Sequence, residues 1–428
     1  MRIFKNISWL FLIICLILFV YLYYQSSIVH LGKKNSYYLS IFYILLIFFV
    51  FSIFSFLIKN ETKNKIALIL SSFYLSFFLI ELYLSLIFFN NFKDGNNLKD
   101  FYNGYKKIND KAVIAFSPKY FISSKEYSLL PLSLASNSET ILCNENGYYA
   151  IYQSDRYGFN NPDKEWEKEI IDYMLIGDSL VQGNCVNEKD TIAANLRNLL
   201  KDKNSGVLNL GMAANGPLLE YATLKEYFKI KSPKNVLWIY SEANDLTDLS
   251  DELSDFILNQ YYKNIDYSQE LSTKQKLINR KILSAIEESR ANSKFSNFSI
   301  RNAILLENLR RVTIYRSISE APLDDLRSIL SLARDYLSKN SSQLYFVYIP
   351  EYARFNEVIK YNDKNYLKVI NLVKDLNIPI IDLYSEFFEN YHDPKSLYPN
   401  KNNGHFTESG YRMVTEIIYK KIIEINNK

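Results

Sequence analysis

Apolar residues follow two different patterns along this chain. Residues 6–29 and 35–58 hold no charged residue, and 66–91 is interrupted only by Glu81. Each run reaches the roughly 20 apolar residues that a helix needs to cross a hydrocarbon layer. The pattern therefore predicts three transmembrane helices within residues 1–91. The first run has too long an apolar core for a cleavable signal peptide, and no small-residue cleavage site follows it. Glu81 is either a functional charge in the membrane or a side chain turned to the bundle or the interface.

Beyond residue 91 the pattern changes. Residues 92–167 are polar and aromatic, with a turn-rich SDRYGFNNPD at 154–163, and read as a neck and leading subdomain. From 168 to 428, short apolar stretches alternate with helical spacing. Strands are predicted at 172–176, 207–212, 235–241, 343–350 and 378–384, and helices at 190–201, 217–228, 324–337, 364–376 and 408–423. The charged stretch from about 246 to 312 has no strand signal and reads as a helical insertion. Strands alternating with helices predict an α/β domain with a parallel sheet covered on both faces.

Charge adds an orientation. Arg2 and Lys5 precede the first run, and Lys59, Lys63 and Lys65 lie between the second and third, against Lys33 and Lys34 between the first and second. An excess of Lys and Arg marks the cytoplasmic side, which predicts a cytoplasmic N-terminus and places everything after residue 91 outside. Lys93, Lys99, Lys106 and Lys107 blunt that asymmetry. The expected setting is a bacterial cytoplasmic (inner) membrane, with the lipid bilayer as one partner and the α/β domain periplasmic or extracellular. A formal charge of +4 over 428 residues gives no case for nucleic acid. Cys143 and Cys185 both fall on the outer, oxidising side, where a bridge between them persists; two buried thiols are the alternative.

In open α/β sheets, ligands bind beyond the carboxyl ends of the strands. Those ends present Gly177-Asp178-Ser179, Asn209-Leu210-Gly211 and Ser241 to Asp245, and His405 precedes the last helix. A hydroxyl, a base and donors for an oxyanion are the parts of an acyl-transfer site. Taken singly, Ser179 and Asn244 also read as helix caps and Gly211 as a turn residue. No Cys/His cluster has zinc spacing and no GxGxxG or phosphate loop follows the first strand, so neither metal nor cofactor is expected.

These four blocks, in this order over about residues 168–428, resemble the SGNH branch of the GDSL hydrolase superfamily. The resemblance implies a flavodoxin-like three-layer sandwich. It further implies Ser179 as nucleophile, His405 as general base, and an oxyanion hole formed by Ser179, Gly211 and Asn244. Two positions depart from the family pattern: Glu242 stands where Gly is usual, and Asn402 stands where the family has the Asp that orients the histidine. Asn402, Asp382, Asp393, a backbone carbonyl or no acid at all remain open behind His405. The expected function is an extracytoplasmic serine esterase anchored in the membrane and acting on O-acetyl groups of an acylated glycan. One alternative is an O-acetyltransferase with a membrane partner in envelope polysaccharide assembly, and another is a non-catalytic glycan-binding or assembly subunit. Membrane spans joined to such a domain also resemble proteins associated with bacterial surface polysaccharides.

Overall fold

A computed structural model describes residues 7–29, 35–91, 93–122, 129–200, 202, 204–292, 306, 309, 321–355, 361, 364–402 and 404–427. The chain divides into two compact units, one of Met1–Lys93 with Phe295–Glu320 and one of Asp94–Lys294 with Ala321–Lys428.

In the first unit, α1 (Ile7–Tyr23) continues into a π-helical stretch at Tyr24–Val29, and α2 (Asn35–Phe54) and α3 (Asn60–Asn91) follow. Among the described residues one window, Phe11–Ile28, is long and apolar enough to cross a membrane. Ile41–Phe54 and Ser71–Ser85 are shorter apolar helices. Of the three expected spans, the N-terminal one is thus long and apolar enough among the described residues, and the other two are present as helices without a full-length apolar window there. Glu81 is buried and its carboxylate accepts the Leu309 N–H at 2.7 Å.

The second unit opens with the end of α4 (Lys93–Lys106) and a small sheet of β1 (Ala112–Ile114), β2 (Glu139–Ile141) and β3 (Ile151–Gln153). β1 pairs with β2 in parallel and β2 with β3 antiparallel. The β2–β3 hairpin is prolonged by two bonds, Leu142 N–H to Ala150 O and Ala150 N–H to Cys143 O, leaving residues 144–149 as its tip.

The main sheet has five strands, β4 (Ile170–Gly177), β5 (Ser205–Asn209), β6 (Pro233–Ser241), β7 (Gln343–Ile349) and β8 (Ile380–Asp382). All pair in parallel, in the order β5-β4-β6-β7-β8. This is the 2-1-3-4-5 order of flavodoxin-like sheets, whose switch point lies at the first strand. Successive side chains of a strand point to opposite faces, and here the two faces feed two separate cores. Met174, Ile176, Val236, Trp238, Phe346 and Tyr348 enter one with α7 (Pro217–Phe228) and the helices Leu323–Lys339 and Tyr366–Asp375. Tyr173, Leu175, Leu237, Ile239 and Val347 enter the other with α6 (Ile192–Leu199) and the C-terminal helix Glu408–Asn426. Strands apolar on both faces are what a parallel sheet between helices requires.

The leading segment is part of this unit. Leu130, Leu132, Leu134, Phe159 and Trp166 share the first core with Met174. Asp155 holds the turn between them, accepting the N–H groups of Tyr157 and Phe159, Asn161 Nδ2 and Trp166 Nε1 at 2.7–2.9 Å. Burial pushes its carboxyl up to about 6 despite these bonds. The expected insertion is helical in its described part, α8 (Asp245–Glu252), α9 (Phe256–Lys263) and α10 (Gln275–Asn292). Apart from 306 and 309, its residues from 293 to 312 lie outside the described ones.

Candidate active site

β4 ends at Gly177, and Ser179 opens the short helix α5 (Ser179–Gln182). The capping role belongs to the residue before it: Asp178 Oδ1 accepts the Leu180 N–H at 2.8 Å. Ser179 is therefore free of that duty, and its Oγ lies 3.0 Å from His405 Nε2. His405 stands in the turn before the C-terminal helix, where Thr407 accepts the Gly410 N–H as N-cap. On its other side, His405 Nδ1 lies 3.0 Å from Glu145 Oε1, and its backbone N–H donates to Glu145 Oε2 at 2.6 Å.

Serine, histidine and glutamate thus form a triad. In the tautomer with its proton on Nδ1, the ring would donate to Glu145 and present the Nε2 lone pair to the serine hydroxyl. Burial raises the Glu145 carboxyl, but the ring, the charge and the backbone N–H of His405 outweigh it and hold Glu145 below its ordinary value. Glu145 is thereby kept ionised, as the acid of a triad must be to stabilise an imidazolium.

Glu145 is the residue that sequence reasoning missed. It comes from the tip of the β2–β3 hairpin rather than from the loop before His405. The three side chains expected there are placed elsewhere. Asn402 is exposed. Asp382 caps the helix Leu383–Glu386 and accepts from Tyr366 Oη and Ser385 Oγ. Asp393 pairs with Lys401 at 2.6 Å on the surface. One signal in the sequence pointed to Glu145: it lies two residues after Cys143, whose expected partner follows Ser179 by six. That partner is found, since Cys143 and Cys185 are bonded.

The expected oxyanion donors divide. Gly211 is displaced from the role, because its N–H donates to Asn209 Oδ1 at 2.9 Å. Its need for glycine is steric, as a Cβ there would sit 2.5 Å from Gln182 N and Val181 Cβ. Met212, Ala213, Asn215 and Gly216 donate to Gly177 O, Gln182 Oε1, Met212 O and Glu252 Oε1. Accounting for this loop leaves the N–H of Ala214, half-buried and left-handed at φ 61, with no bond among the described residues. The Ser179 N–H likewise has none. Asn244 stands at the end of β6; its Nδ2 donates to Asp248 Oδ2 at 2.7 Å and its Oδ1 accepts from Ser241 Oγ at 2.9 Å.

Buried acids surround these strand ends. Desolvation raises Asp178, Glu220 and Asp245, and the Leu180 N–H, His405 and Asn244 partly counter it at Asp178. Glu242, at the position that departs from the family pattern, is tied up in a buried pair with Arg354 at 2.5 Å.

Neither a family model nor a curated protein matches the sequence. Among solved structures, a two-domain esterase active on acetylated mannans is similar at 11% identity and a TM-score of 0.36, over 62% of this chain and 52% of the other. The chain therefore spans about half the length of that protein. An acetyl xylan esterase is similar at 13% identity and 0.33, over 58% of this chain and 98% of the other. A lipase/acylhydrolase from Enterococcus faecalis is similar at 16% identity and 0.34, over 59% and 95%.

Proposed function

We propose that this protein is a serine ester hydrolase of the SGNH type. One observation carries the reading: the continuous relay from Ser179 Oγ through His405 to Glu145, with both links at 3.0 Å. In the reaction, His405 Nε2 takes the serine proton as Oγ attacks the ester carbonyl, and returns it to the departing alcohol. Water, deprotonated by the same nitrogen, releases the acid from the acyl-serine. The N–H groups of Ser179 and Ala214 would receive the tetrahedral oxyanion, and the Asn244 amide would join them by giving up its bond to Asp248. No cofactor enters this chemistry.

The setting we propose is extracytoplasmic, with the N-terminal helices as a three-span anchor, the N-terminus cytoplasmic and the outer domain facing O-acetylated glycans. The Cys143–Cys185 bond supports that side of the membrane, because disulfides persist in oxidising compartments. With a sugar hydroxyl in place of water, the same residues make an O-acetyltransferase. A non-catalytic role was suggested by Asn402, and Glu145 removes its motive.

The full chain in detergent, with Ser179→Ala as baseline, is given a chromogenic acetyl ester with and without an oligosaccharide acceptor. Serine-dependent release that ignores the acceptor supports the hydrolase, and acetylated acceptor supports the transferase. Folded protein without serine-dependent turnover of either kind refutes both.

A further inference from the structure

The acid of the triad does not belong to the sheet that carries the nucleophile. Ser179 and His405 are set by the five-stranded sheet and its flanking helices, whereas Glu145 rides on the hairpin of the three-stranded sheet. A covalent bond joins the two at the reacting groups. Cys143 is two residues before Glu145, and Cys185, at φ 64 just beyond α5, is six after Ser179. Cys185 Sγ lies 3.6 Å from His405 Nδ1, and ligand atoms of Cys143, Glu145, Cys185 and His405 all fall within 4.8 Å of one another.

We infer that the Cys143–Cys185 bridge is a positioning device for Glu145, so that turnover depends on the bridge being formed. The inference rests on the esterase reading above. Among the described residues, the tip's other hydrogen bonds to the main-sheet elements are Asn146 Nδ2 to Cys185 O at 3.0 Å and to Phe406 O at 3.5 Å, and Tyr148 Oη to Glu408 Oε1 at 2.6 Å, while Tyr149 stacks on Phe101 within the leading segment. Glu145 itself remains about one-third exposed, so water competes for its carboxylate as soon as the tip can move. The Cys143–Cys185 bond, being covalent, is not exchanged for bonds to water as these hydrogen bonds can be. With the bridge open, Ser179 and His405 persist as a dyad.

Opening it is a two-electron step. A trialkylphosphine attacks one sulfur and displaces the other as thiolate; water then converts the thiophosphonium to phosphine oxide, leaving two thiols. Glutathione disulfide reverses the change by taking up the two electrons as glutathione thiol.

The test uses the full chain in detergent with Cys15→Ser, so that Cys143 and Cys185 are the only thiols in play, and measures kcat and KM on a chromogenic acetyl ester. Phosphine treatment and the Cys143→Ser/Cys185→Ser variant each lower kcat about 10²-fold at unchanged KM, a size typical of losing part of an acid–base relay. Glu145→Gln falls by the same order, and combining it with the serine variant brings no further loss, since both act through one group. Glutathione disulfide restores the reduced protein. Wild-type kcat without the bridge overturns the inference, as do losses that multiply to about 10⁴-fold or activity that disappears only in step with the melting of the fold. Absence of Ser179-dependent turnover in the oxidised protein overturns the esterase reading and this inference with it. Turnover indifferent to the bridge overturns the inference alone.

Discussion

Gly404→Ala tests Glu145 without touching any member of the triad. Gly404 lies outside the left-handed region, so its backbone accepts alanine. A Cβ there would sit 2.6 Å from Glu145 Oε2 and 3.2 Å from its Cδ. Ordinary contact begins at about 3.5 Å, so the carboxyl must retreat by about 0.9 Å. The Oε2 contact to His405 N–H then lengthens from 2.6 Å to about 3.5 Å, beyond hydrogen-bonding range, and the ring contact loosens with it. A hydrogen bond to a charged group is worth about 1.5–3 kcal/mol, so kcat should fall roughly 10- to 150-fold. The fold should hardly notice, because the atom displaced is the end of a flexible, partly exposed side chain. Steady-state hydrolysis of an acetyl ester, beside a thermal melt, measures both quantities. Wild-type kcat in Gly404→Ala would refute the role given to Glu145. A large fall in melting temperature would show that the glycine serves the fold instead.

Other predictions concern the remaining parts of the site. Asn244→Ala should cost about 3 kcal/mol in the barrier, as typical for an oxyanion donor, with circular dichroism unchanged; a kcat within threefold of wild type removes Asn244 from the hole. Ser179→Ala should abolish both ester turnover and labelling by an organophosphonate, and labelling that survives it would place the nucleophile elsewhere. Glu252 is buried and accepts the N–H groups of Gly216, Leu218 and Leu219 at the start of α7, yet desolvation pushes it up to about 8. Its folded value lies above the unfolded one of about 4.3, so the folded state binds the proton more tightly across that window. The stability it contributes is complete below about pH 4 and is lost as pH rises through 8. Melting temperature should therefore decline from pH 5 to 8 more steeply in wild type than in Glu252→Gln, and parallel curves would contradict the assignment.

Much of the main sheet was legible in the sequence, because strands buried on both faces are continuous apolar runs and the helices between them keep a 3.6-residue spacing. The helix Pro217–Phe228 was read with both its ends, and Ser179 and His405 were legible as residues at strand and loop ends. The Cys143–Cys185 pairing followed from compartment and number. Where contacts between distant segments decide, the sequence was silent. Gly211 looked like an oxyanion donor until the side chain of Asn209 was seen to take its N–H, and the left-handed Ala214 beside it gave no sign in the pattern. The acid behind His405 is the clearest case. Proximity in sequence favoured Asn402, Asp382 and Asp393, but a hairpin from a second sheet, fastened by a disulfide, carries Glu145 across 260 positions. Local chemistry is written in the order of residues, whereas the partner of a histidine is chosen by packing between elements that the sequence keeps far apart.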